Sequence, residues 1–61
     1  MAKYKIMYNE YMPKPYYIAK RVTTFWQQCS KNYTYKAFAQ KALNKLIEKD
    51  TKNGIEVRVY K

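Results

Sequence analysis

A chain of 61 residues has room for one domain around a single thin core. Thirteen lysines and arginines stand against four carboxylates, a formal charge of +9, and histidine is absent. With one cysteine and no histidine, neither the usual Cys/His or His/carboxylate metal centres nor a Ser-His-Asp or Cys-His nucleophile can be assembled. The expectation is a small basic binding module, not an enzyme, that uses no metal and no cofactor.

Hydrophobic residues make up 48% of the chain and aromatics 18%, eight of them tyrosine, which is the profile of a folded chain and not a disordered one. Cys29 stands alone, so no internal disulfide forms, and a reducing, cytoplasmic setting is expected. The start, Met1-Ala2-Lys3-Tyr4-Lys5, lacks the apolar stretch of a signal peptide and reads as the start of a complete small frame. Apolar runs are far short of the ~20 residues that cross a bilayer, so no membrane contact is expected.

From Lys3 to Asn9 the chain alternates, with Tyr4, Ile6 and Tyr8 on one side and Lys3, Lys5 and Met7 on the other, the period of a half-buried strand. Pro13 and Pro15 remove backbone donors and make 10–15 a loop. Tyr16 to Thr23 reads as a second strand, Tyr16, Ile18 and Val22 facing one way and Tyr17, Ala19 and Arg21 the other. The two strands are expected to form an antiparallel hairpin. The stretch 24–32 has no clear period; it is read as a bent continuation of the second strand, with one ring of Phe25-Trp26 buried, Trp26 in the core and Cys29 a small buried hydrophobe.

Thr34 is a suitable N-cap, and Tyr35, Phe38, Ala39, Ala42, Leu43 and Leu46 then recur at the spacing of an amphipathic helix running to Lys49. Gly54 suits the turn after it. Ile55-Glu56-Val57-Arg58-Val59-Tyr60 alternates again, with Ile55, Val57 and Val59 inward. The predicted fold is α+β: a single ββαβ domain over 1–61, one helix covering one face of a three-stranded antiparallel sheet in the order 2-1-3. Two short edges and an uncovered aromatic face also point to self-association as a homodimer.

Charge is segregated. Between Tyr11 and Ile47 there are seven basic residues and no acid; Glu10, Glu48, Asp50 and Glu56 all lie outside that window. Lys41, Lys45, Lys49 and Lys52 share one helical sector, where like charges at i, i+4 repel by roughly 0.2–0.5 kcal/mol per pair. A polyanion would offset that repulsion, and DNA or RNA is the commonest one. A solvated basic surface with no ligand is the plainer reading of the same pattern. The uncovered sheet face is expected to carry Lys3, Lys5, Met7, Tyr17, Arg21, Arg58 and Tyr60, a mixture suited to bases and phosphates, or equally to an acidic protein partner. The candidate binding residues are therefore Lys5, Tyr17, Arg21, Arg58 and Tyr60 on the sheet, and Lys41, Lys45 and Lys49 on the helix.

The order Tyr4-Lys5-Ile6, Tyr16-Tyr17-Ile18, Phe25-Trp26, Thr34-Tyr35-Lys36-Ala37 and Val57-Arg58-Val59 resembles small basic reading frames of tailed phages and prophages. That resemblance implies a phage-encoded protein that binds nucleic acid, or alternatively an inhibitor or adaptor that docks on a host or viral protein. A more distant likeness is to the arm-site-binding N-terminal domain of tyrosine recombinases. There the third strand precedes the helix and a Gly-rich hairpin is present, both unlike this chain, so no base-contacting residue is carried over.

Overall fold

The computed structural model describes residues 1–60. The chain folds as β1 (Ala2–Tyr8), β2 (Tyr16–Val22), β3 (Phe25–Gln28), α1 (Lys36–Lys52) and β4 (Val57–Tyr60). The class is α+β with a single helix, but the sheet has four strands, not three, in the order β3-β2-β1-β4. β1 pairs antiparallel with β2 and β2 antiparallel with β3, whereas β1 and β4 run parallel.

The last strand does lie beside the first, as the 2-1-3 order requires, but its direction is reversed from the all-antiparallel expectation. The cause is β3. A second hairpin turns the chain once more before the helix, so the helix returns in the opposite sense and delivers β4 parallel to β1. The turn is Thr23-Thr24, with Val22 opposite Phe25 and Thr23 at φ 54°. A positive φ at the first of two turn residues matches the twist of a tight hairpin but is normally supplied by glycine or asparagine. Two threonines give no such signal, which is why 24–28 read as a continuation of β2.

The longer β1–β2 loop is closed locally. The Asn9 carboxamide oxygen accepts the Tyr11 N–H at 3.1 Å and the Asn9 N–H donates to the Pro15 carbonyl at 2.9 Å. After β3 the chain runs on along β2 in the same antiparallel sense. The Cys29 N–H donates to the Ile18 carbonyl (2.9 Å), the Ile18 N–H to the Ser30 hydroxyl oxygen (2.9 Å), and Tyr33 exchanges two backbone bonds with Tyr16. Asn32 ties this segment to the first loop through the Lys14 carbonyl at 3.1 Å.

Because Tyr33 is still paired with the sheet, Thr34 and Tyr35 are spent turning away from it. The N-cap is therefore Tyr35 (φ −118°, ψ 143°), without a side-chain cap, and not Thr34. The helix runs three residues past Lys49 and closes on Gly54. The Gly54 N–H donates to the Thr51 carbonyl (3.0 Å) and the Ile55 N–H to the Asp50 carbonyl (2.9 Å). With Gly54 at φ 79°, this is the Schellman arrangement.

The core lies between the helix and one sheet face: Ala2, Tyr4 and Ile18 meet Leu43, with Ile6, Ala42, Leu46, Ile47 and Val57 packed around them. Two expected core positions of the helix stripe do not bury. Phe38 is 55% exposed and Tyr35 is exposed beside it, their rings 5.8 Å apart. Ala39 and Leu43 set the inward bearing, and one residue further along a helix turns by about 100°, which carries Phe38 to the flank. Of the terminal trio only Val57 packs against the core; Ile55 lies in the turn after Gly54, and Val59 is exposed toward the end of β4. Among the described residues, α1 touches β1, β2 and β4 and leaves β3 uncovered.

Candidate nucleic-acid interface

The strand registers assemble the sheet face that points away from the helix. Residues opposite each other in a ladder share a face. Lys5 lies opposite Ala19 and beside Tyr60, Met7 opposite Tyr17, Lys3 beside Arg58, Arg21 opposite Trp26, and Ala19 opposite Gln28. Lys5, Tyr17, Arg21, Arg58 and Tyr60 thus stand on one face. Among the described residues its strand positions carry four cations and no carboxylate.

Trp26 belongs to this face and not to the core. Neither it nor Phe25 is buried as expected: Phe25 is exposed and Trp26 half-buried. The indole meets the Tyr60 ring edge-on, with centroids 5.5 Å apart. The two side chains come from the opposite edge strands of the sheet, so they reach toward each other across β2 and β1. The small residue of β2 on this face is Ala19, and it is only 1% exposed although it faces away from the helix. A side chain of ordinary size there would lift the rings.

Cations flank the pair. The Lys5 ammonium lies 5.9 Å from the Trp26 ring centroid and the Arg58 guanidinium 5.3 Å from that of Tyr60, cation–π distances in both cases. The Arg21 Nε–H donates to the Thr23 carbonyl at 3.3 Å, so the β2–β3 turn holds this guanidinium at the edge of the patch. Tyr17 is half-buried at the far end of the face.

Trp26 was missed by sequence reasoning for the same reason as the hairpin. Had Thr23-Thr24 been taken as a two-residue turn, strict alternation from Arg21 would have placed Trp26 on the Arg21 face.

The helix lysines do not join this surface. Lys41 and Lys45 flank a separate groove between α1 and the 29–33 segment, on the other layer of the fold, and Lys49 is exposed in the last helical turn. Cys29 lies in that groove and is exposed, not a buried hydrophobe. Its thiol turns onto the Ile18 carbonyl at 3.5 Å, and desolvation there pushes it above the ordinary thiol range, the opposite of an activated cysteine. Among the described residues no group of three or more metal-ligating side chains comes together, and no helix is long and apolar enough to cross a membrane.

Comparison with protein-family models, with curated proteins and with solved structures finds no match.

Proposed function

We propose that the chain is a non-catalytic module that binds single-stranded nucleic acid on its open sheet face without strong sequence preference. The Trp26–Tyr60 pair, flanked by Lys5 and Arg58, is the observation that supports this reading. Aromatic rings stack on any base, at about 1–3 kcal/mol per base, while the surrounding cations meet phosphates. A shallow face of this kind suits unpaired bases, because in a duplex the base faces are already stacked on each other. The face supplies few neutral polar side chains to read base edges, Gln28 being one, so affinity would come from stacking and charge.

Trp26 is the chain's only tryptophan, so its fluorescence reports on this face directly. Titration with a single-stranded oligonucleotide should quench it, and log affinity should fall linearly with log salt. A duplex of the same sequence should bind more weakly. Absence of binding at ~50 mM salt, where counterion release favours the complex most, or an affinity indifferent to salt, would remove the proposal. An acidic protein docking on the same face is the competing outcome. Capture experiments with and without nuclease separate them, since a stoichiometric protein partner survives the nuclease and a nucleic-acid bridge does not.

A further inference from the structure

On the layer opposite the open sheet face, a groove of ≈ 560 Å³ runs between α1 and the 29–33 segment. It exists because the helix covers β1, β2 and β4 but not β3. Ile18, Ala42 and Leu46 form an aliphatic floor, and Phe38 stands on the helix wall with more than half of its surface in solvent. Three lysines line it: Lys41 and Lys45 one helical turn apart, and Lys31, whose ammonium lies 5.7 Å from the Tyr33 ring centroid. No carboxylate is among its lining residues. The far wall is fixed in place, since Cys29, Ser30 and Tyr33 are all hydrogen-bonded to β2. The groove is therefore formed before anything enters it.

We propose that this groove is a second binding site, for an acidic peptide segment of a partner protein that places an aliphatic or aromatic side chain on the floor and carboxylates against the lysines. The volume lies within the ~300–1,000 Å³ of clefts that hold drug-sized ligands, comparable to a short run of side chains. Charge complementarity favours an acidic occupant, and three separated ammonium groups suit several carboxylates spaced along a chain better than one anionic head. The floor argues against a nucleobase. The floor offers no side-chain donor or acceptor, and of the groove's two neutral hydroxyls, those of Ser30 and Tyr33, the Ser30 one already accepts from the Ile18 N–H and donates to the Lys31 carbonyl. A base seated on that floor would leave most of its polar edge unpaired, whereas an apolar side chain has none to satisfy. The site does not rest on the nucleic-acid reading and uses none of the sheet-face residues. Together the two surfaces would let one small domain bridge a nucleic acid and a protein.

The chain's single cysteine lies in this groove, which makes the occupancy measurable. The probe is a short fluorescent peptide of glutamates around two leucines, with a second peptide in which the leucines are alanines. With the full chain, the leucine peptide should bind by anisotropy and should slow maleimide modification of Cys29. Phe38→Ala, at an exposed position, and the charge reversal Lys41→Glu with Lys45→Glu should each weaken it by roughly tenfold or more, whereas Arg21→Ala with Arg58→Ala should leave Cys29 protection intact. Equal binding of the two peptides, or binding without Cys29 protection, would overturn the groove in favour of diffuse electrostatics. Protection of Cys29 by a single-stranded oligonucleotide in place of the peptide would overturn it in favour of nucleic acid. Trp26 quenching is read in the same samples, so failure at the sheet face and failure at the groove are seen separately.

Discussion

The phenol of Tyr4 and the carboxylate of Asp50 meet from positions 46 residues apart, joining the first strand to the end of the helix. Tyr4 is 4% exposed, and burial, followed by the hydrogen bond to Asp50 and its negative charge, pushes the phenol up from 10.0 to about 12. The consequence for stability follows from the direction. Below pH 10 the phenol is protonated in both folded and unfolded chains, and the contact contributes in full. Between about 10 and 12 the unfolded chain ionises first, so stability falls as pH rises, at about 1.4 kcal/mol per unit of separation. Urea midpoints should therefore drop steeply across that window, and Tyr4→Phe should flatten the drop. An alkaline limb unchanged in Tyr4→Phe would contradict the assignment. A second residue carries a comparable burden. Ile18 is fully buried, and its N–H is bonded to the Ser30 hydroxyl in place of a backbone carbonyl. Ser30→Ala orphans that donor and should cost about 1–3 kcal/mol, more than an exposed serine normally would. Ser30→Thr, which keeps the hydroxyl, should recover most of the loss in thermal unfolding.

The helix stop is the element whose energetics separate most cleanly. A Cβ built on Gly54 meets nothing within 4 Å, so Gly54→Ala is free of clashes and its cost is that of φ 79° alone. About 1 kcal/mol is expected, read as a lowered urea midpoint with unchanged slope. Gly54→Asn should cost less, because asparagine tolerates the left-handed region. That stop was legible in the sequence, as were the alternation of β1, the inward residues Ala39 and Leu43, and the faces of β2. Each of these is set by a local period of 2 or 3.6 that tertiary contacts have no reason to override. The misreadings share a different cause. The Thr23-Thr24 turn carries its positive φ on a residue type that rarely adopts one, so the third strand was invisible. From that single omission follow the missed strand, the reversed direction of β4 and the misplacement of Trp26. The N-cap shifted by one residue because of the Tyr16–Tyr33 pairing, a long-range bond that no local pattern announces. The candidate site was legible to the extent that it follows from alternation: Lys5, Tyr17, Arg21, Arg58 and Tyr60 do share a face. Their separation from Lys41 and Lys45 by the thickness of the sheet also followed from the helix covering the other side. That the patch centres on a ring pair over Ala19 did not, because it depends on β3.

At the scale of the whole molecule, the question is whether a chain of +9 binds polyanions by total charge or through a particular surface. Arg21 and Arg58 stand on the sheet face with Trp26 and Tyr60, and Lys41 and Lys45 on the opposite layer. Each pair contributes two charges, so double alanine variants of the two pairs alter the net charge equally. Long-range attraction depends on that total and acts mainly on association. Close contacts differ. A guanidinium is planar, stacks beside rings and binds phosphate in two places, whereas an ammonium on a flexible stem is closer to a point charge. For a single-stranded oligonucleotide, Arg21→Ala with Arg58→Ala should therefore raise the dissociation rate and weaken binding by roughly tenfold or more at physiological salt, a loss of at least ~1.4 kcal/mol. Lys41→Ala with Lys45→Ala should slow association modestly and leave dissociation close to that of the parent. The salt slope discriminates further, since only phosphates contacted directly release their counterions, so the arginine pair should flatten it more than the lysine pair. Stopped-flow measurements at two salt concentrations give both quantities. If the lysine pair costs as much affinity as the arginine pair, or flattens the slope equally, binding is set by net charge alone and the sheet face has no special part in it.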